Sequence, residues 1–195
     1  MRRYILALLA ATLAFGPLLA RAEGPSYSFV EAGYIVTDID DFDEEFDGFG
    51  IAGSFEFIEN WFGYGSYLDQ SAEFFDVDVD ATAYELGFGY AFPLTDTMDL
   101  YGKIGYTEVE LEAYDASIDD DGYALSLGLR AIVIEQLELQ GAVNYVDLSD
   151  SGDDTSLDVA ARWYIMQQLA IGIEGGFGDD ANFYGVSARW DFGRQ

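Results

Sequence analysis

Cysteine and histidine are both absent from the 195 residues, and only eight side chains are basic. Without Cys there are no disulfides, thiolate nucleophiles or zinc–thiolate sites. Without His the commonest general base and the commonest transition-metal ligand are gone, which removes most hydrolase chemistry. The eight Lys and Arg face 37 Asp and Glu, a formal charge of -29, which excludes nucleic acid as a partner because phosphate binding needs basic clusters. Proline occurs only three times. Half the residues are nonetheless hydrophobic, so the acidity is not that of a disordered tail. Twenty-two glycines and a 16% aromatic content point to closely packed β-structure.

Residues 1–22 read as a signal peptide. Arg2 and Arg3 precede an apolar stretch from Ile5 to Leu19, and Ala20-Arg21-Ala22 supplies small residues where a signal peptidase cuts. The stretch is short for a transmembrane anchor. Cleavage after Ala22 removes Arg2, Arg3 and Arg21, leaving Lys103, Arg130, Arg162, Arg189 and Arg194 against all 37 acids. No later segment approaches 18 uninterrupted apolar residues, so any membrane crossing in 23–195 is made by strands.

From residue 27 onward the chain alternates with period two, the signature of strand faces. Thr82, Tyr84, Leu86, Phe88, Tyr90 and Phe92 form a large apolar face, and the residues between them are Ala, Gly and one Glu. The pattern predicts strands at 27–37, 48–58, 61–70, 80–92, 98–112, 122–134, 137–148, 156–165, 169–177 and 182–192. Short connections alternate with longer Asp-rich ones at 38–47, 71–79, 113–121 and 149–155. Short turns on one side and long polar loops on the other describe an all-β, transmembrane antiparallel up-and-down barrel, with ten strands, or eight if two segments belong to loops. A soluble sandwich alternates too, but its second face meets water. Here that face is mostly Gly, Ala and Ser, which suits a narrow lumen. Tyr34, Tyr84, Tyr106, Tyr123, Tyr145 and Tyr184 near the loop ends make one aromatic girdle; Phe57, Phe62, Phe92, Trp163, Trp190 and Phe192 near the turn ends make the other.

Strand parity directs a set of charges into the lumen: Glu31, Glu56, Asp69, Glu85, Lys103, Arg130, Glu138, Asp158, Arg162, Glu174 and Arg189. Gly50, Gly63, Gly65, Gly87 and Gly128 on the same parity leave room for them. Two readings follow. Paired charges plug a barrel too narrow to conduct, or lumen charges select ions and an acidic excess favours cations. Outside, Asp76, Asp78 and Asp80 run into one strand, and Glu108, Glu110 and Glu112 run out of the next. Folding this hairpin about Thr95 sets Asp80 opposite Glu110 and Asp78 opposite Glu112. Like charges so placed repel unless bridged. They either hold Ca or Mg, reaching anionic lipid head groups, or form a solvated repulsive surface. No EF-hand forms from Asp38, because Phe42 stands where a ligand is needed. Gly48 to Gly53 spells G-x-G-x-x-G, but inside an alternating strand, so it is no dinucleotide site.

With these features the chain resembles the small outer-membrane β-barrel proteins of Gram-negative bacteria, the OmpA/OmpX-type group, over Glu23 to Gln195. The final strand, with Tyr184, Val186, Ala188, Trp190 and Phe192 facing outward, is similar to the aromatic-ended signal read by barrel-assembly machinery; Gly193-Arg194-Gln195 extends past it. The resemblance implies location in the cell outer membrane, contact with lipid and lipopolysaccharide, and passage through the assembly machinery. Relatives that are proteases, deacylases or palmitoyltransferases depend on a His, which this sequence lacks. The expectation is a non-enzymatic surface protein without a cofactor, whose acidic loops meet cations, lipopolysaccharide or a host or cell-surface ligand. A narrow cation-preferring channel is the alternative, and an enzyme using carboxylates alone the third reading.

Overall fold

The computed structural model describes residues 24–39, 44–74, 77–113 and 116–193. The signal peptide, Glu23, Asp40, Asp41, Phe42, Asp43 and Asp76 lie outside them. The elements are β1 (Phe29–Ile39), β2 (Phe46–Ile58), β3 (Trp61–Phe74), β4 (Val77–Thr95), β5 (Met98–Ala113), β6 (Ala116–Ile134), β7 (Leu137–Leu148), β8 (Gly152–Tyr164), β9 (Leu169–Gly178) and β10 (Ala181–Asp191). Each strand pairs antiparallel with its neighbours in sequence, and β1 pairs with β10, so the ten strands close into a barrel. The eight-strand alternative is thereby excluded. Closure leaves no sheet edge, the condition for a β-structure to cross a bilayer.

Long apolar side chains point outward. Leu86, Phe88, Ile104, Leu127, Val143, Ile173 and Val186 are among the exposed large hydrophobics, and most of the expected girdle tyrosines and aromatics stand exposed at the two ends of this band. Phe62 is an exception, and it exposes an inverted parity for β3. Phe62, Tyr64 and Leu68 are buried in the lumen, while Tyr67 and Asp69 face outward. Gly63 and Gly65 therefore lie on the outer face too. The register explains it. Paired residues share a face, Ser66 pairs with Glu85, and Glu85 is inside.

The Asp-rich connections are shorter than the sequence pattern implies. Strand pairing continues to Phe74↔Val77 and to Ala113↔Ala116, and only Ser149 to Ser151 separate β7 from β8. Acidity marks these segments as solvated but does not stop them alternating. Val79, Val109 and Leu111 alternate with Asp78, Asp80, Glu108, Glu110 and Glu112, and the apolar set packs inside. About 9–11 residues of strand cross a bilayer. The 19-residue β4 and β6 therefore rise well above it, while β9 and β10, with 10 and 11 residues, do not.

Glycines inside the lumen seat aromatic rings. The Phe62 ring lies on its strand partner Gly89, where an added Cβ would come within 1.9 Å of the ring. Phe183 covers Gly176 in the same way. Gly89→Val is expected to cost about 1–3 kcal/mol through overpacking, read as a lower denaturant midpoint for the refolded barrel. An unchanged midpoint would show that the ring can move aside freely.

Candidate functional site

The lumen is filled in layers. At the turn end, residues 24–28 are buried in the barrel mouth. Arg130 Nη1 donates to the Ser26 carbonyl at 2.8 Å, and the Tyr27 ring stacks on Phe62 with centroids 5.1 Å apart. Tyr27, Phe29, Phe62, Tyr64 and Tyr101 form one buried cluster here. At the loop end Ile39, Phe46, Ala72, Ala81 and Ala181 form another. Beneath that, Ile35, Leu68, Val109, Val146 and Phe183 form a third.

Between them sits a charge cluster built on two glutamates. Glu31, on β1, receives Arg162 Nε at 3.0 Å and Arg189 Nη2 at 2.7 Å, and also the Ser187 hydroxyl at 2.7 Å. Glu138, on β7, receives Arg130 Nη2 at 2.6 Å, with Arg189 Nη1 at 3.4 Å and Arg162 Nη1 at 3.6 Å. Five strands are tied together by these ion pairs. Arg162 also donates to Gln140, which donates to Tyr101. The Tyr164 hydroxyl reaches Asp191 at 2.8 Å and Glu138 at 3.3 Å. Arg189 lies 3.7 Å over the Phe29 ring and Arg130 5.0 Å over Tyr27, so the guanidinium faces are covered as well as their edges. Such pairing is what lets charges reside in a low-dielectric interior.

Of the residues that strand parity sent inward, Glu31, Glu85, Lys103, Arg130, Glu138, Asp158, Arg162, Glu174 and Arg189 are buried in the lumen. Glu56, near the turn end, is half-buried. Asp69 is not in the lumen. It stands on the outer face and accepts the Tyr67 hydroxyl at 2.9 Å, the consequence of the inverted β3 parity. Missed were Asp99, Asp191, Tyr101, Tyr164 and Gln140. Asp99 and Asp191 share parity with Lys103 and Arg189, so the same counting finds them.

Asp69 belongs to an outer collar. Tyr34 donates to Asp47 at 2.5 Å, Tyr106 to Glu108 at 3.1 Å and Tyr123 to Asp147 at 2.9 Å, so girdle tyrosines end in carboxylates. Above them rises the acidic wall of β4–β6. Its register differs from the expected one by two residues: Asp80 faces Glu112, Thr82 faces Glu110, and Asp78 faces Glu73. The bulge at Pro93/Thr95 and the two-residue turn move the fold point beyond Thr95. Asp119 and Asp121 continue the wall in β6, opposite Glu110 and Glu108. Asp120 instead points inward and accepts the Asp150 amide and the Ser151 hydroxyl, pinning the β7–β8 turn. Among the described residues no three acidic side chains gather around one point as a metal cage. Gly48 to Gly53 lies within β2, as a strand and not as a phosphate loop.

A closed antiparallel barrel with an apolar outer band between aromatic girdles is the form of an outer-membrane β-barrel. The family model described as outer membrane protein beta-barrel domain matches residues 5–192, and the chain belongs to that family and to the outer membrane. Comparison with curated protein sequences gives no match. Among solved structures, the NanC porin is similar in fold, with a TM-score of 0.52 at 9% identity, over 85% of this chain and all of that one. Ail, the attachment invasion locus protein of Yersinia pestis, solved in complex with the heparin analogue sucrose octasulfate, matches 84% of this chain and 97% of its own at 19% identity and a TM-score of 0.47. Neisserial surface protein A matches 84% of this chain and 95% of its own at 10% identity and 0.42.

Proposed function

We propose that the protein is a non-conducting, non-enzymatic barrel that presents an acidic surface at the cell exterior. The observation that carries this reading is the succession of buried side-chain clusters along the lumen from one mouth to the other. Residues 24–28 stop the lower mouth, the Arg–Glu cluster occupies the bore, and two apolar clusters close the upper half. Side chains fill the interior of barrels this small. Glu138 is held by three guanidiniums and Glu31 by two, which leaves neither free to act as a general acid or base.

The wall of β4–β6 then becomes the working surface. Its carboxylates gather divalent counterions diffusely rather than in a cage, and such ions bridge to the phosphates of neighbouring lipopolysaccharide. The wall projects beyond the bilayer on one side only, the shape for contact with a basic host or cell-surface ligand. Delivery by the barrel-assembly machinery through the aromatic β10 fits the same reading.

A refolded barrel in a planar bilayer is expected to be silent, at low and at millimolar calcium. Discrete cation-selective steps would overturn the reading and favour the narrow channel, for which the acidic excess inside the lumen speaks.

A further inference from the structure

The loop-end collar carries a pair of tyrosines that the surface role above does not use. Tyr67 on β3 and Tyr84 on β4 are direct cross-strand partners on the outer face. Their ring centroids lie 5.5 Å apart with the planes inclined by 43°, within the range of an interacting aromatic pair. The rings are 37% and 40% exposed, so a dissolved reagent reaches both. The Tyr67 hydroxyl donates to Asp69 Oδ2 at 2.9 Å, and Tyr84 stands opposite Glu108 on β5.

Two features set this pair apart. Tyr123 and Tyr145 belong to the same collar, but they are diagonal rather than opposed, because Tyr123 pairs with Asp147 and Tyr145 with Leu125. Their centroids are correspondingly farther apart, at 6.2 Å. The other readily oxidised side chains stand elsewhere. Among the described residues Trp61, Trp163, Trp190, Met98 and Met166 all lie in or beside the short turns, at the opposite end of the barrel. The chain has no Cys to be oxidised first.

The geometry points to an oxidative modification site at this pair: a dityrosine link between Tyr67 and Tyr84, made by hydrogen peroxide acting through a haem-type one-electron oxidant. Each phenol gives one electron to the oxidant and its hydroxyl proton to a base. For Tyr67 that base is Asp69, already within the hydrogen-bond reach that proton abstraction needs. The two phenoxyl radicals couple through a ring carbon ortho to each oxygen, forming one C–C bond. The two ortho hydrogens then move to the oxygens as protons, which restores both hydroxyls. In total the pair loses two electrons and two protons, and one peroxide takes them up to become two waters. Cross-strand partners have Cβ atoms about 4.5–5.5 Å apart, so the rings meet without movement of the backbone. The link ties β3 to β4 at the base of the acidic wall.

The test exposes the refolded barrel, at low density in lipid vesicles, to a haem peroxidase and hydrogen peroxide. Cleavage after acidic residues then separates Tyr67 from Tyr84 along the chain, since Asp69, Glu73, Asp78 and Asp80 lie between them. The expected result is dityrosine fluorescence and a joined pair of peptides holding Tyr67 and Tyr84, lighter than their sum by two hydrogens. Tyr84→Phe keeps the ring and is expected to lose that joined pair. Asp69→Asn keeps both rings and is expected to form it several-fold more slowly. Both positions are exposed on the outer face, so neither variant disturbs the lumen. Oxidation that joins Tyr123 to Tyr145, or one barrel to another, in preference to Tyr67 and Tyr84 overturns the site. So does an unchanged rate in Asp69→Asn, because the pair would then react as exposed phenols only.

Discussion

Replacing Glu31 by Gln is expected to lower the unfolding free energy of the barrel by about 3–5 kcal/mol, the range for breaking a buried ion pair while leaving the partner charge behind. The variant keeps the shape of the side chain and removes only its charge. Arg162 and Arg189 would lose their shortest carboxylate contacts and be left leaning on Glu138, at 3.6 and 3.4 Å. Three guanidiniums would then converge on Glu138 with one carboxylate fewer among them. Arg162→Ala also breaks the cluster but leaves Glu31 paired with Arg189, so its cost should be smaller. Urea titration of the protein refolded in lipid vesicles measures both. Equal midpoints for the Gln variant and the parent would mean that water reaches the cluster, and the closed-bore reading would fall with it.

Leu127→Arg is the second large effect, and it acts from the opposite side of the same strand wall. Leu127 is 60% exposed on β6, flanked by the outward Leu125 and Leu129 and paired with Val143. An arginine at the bilayer midplane of a barrel costs about 2–4 kcal/mol, falling toward the interfaces. Ser117→Arg, on the exposed wall facing Glu112, should stay within about 0.5 kcal/mol of the parent. If both substitutions cost the same, the apolar band would not be facing lipid.

The architecture was readable because a membrane barrel enforces alternation on both faces at once. Outward residues must be apolar across the bilayer, and inward residues small or paired, so ten segments and their short turns emerge from parity alone. β3 shows where that logic fails. Trp61, Phe62, Tyr64, Tyr67 and Leu68 put large side chains on both faces, so size no longer says which way is out. Asp69 was accordingly placed inside. The register to β4 resolves it, since Ser66 must share a face with Glu85, but that register depends on where the hairpin turns. The turn was hidden because the acidic stretch before Asp80 reads as loop by composition while continuing as strand.

The charge cluster was legible as membership but not as pairing. Parity places Arg162 and Glu31 inside, yet only the curvature of the ring brings side chains 131 positions apart into contact. The two-residue error in the β4–β5 register has a local cause, the bulge at Pro93/Thr95, which a count of equal arms about one turn residue cannot foresee. Proline is tolerated at such an irregularity, where a ladder bond is already missing.

The position of Glu31 on the first strand bears on how the protein assembles. Both of its arginines arrive late, on β8 and β10, and β10 must also make eleven residue pairs with β1 along the seam. Until the last strand docks, the first holds a carboxylate without its counterions and a free row of backbone donors. The ring therefore cannot zip up from its beginning as it emerges. Closure waits for the whole chain, a high-contact-order event and correspondingly slow, and the latch that completes it is electrostatic as well as hydrogen-bonded.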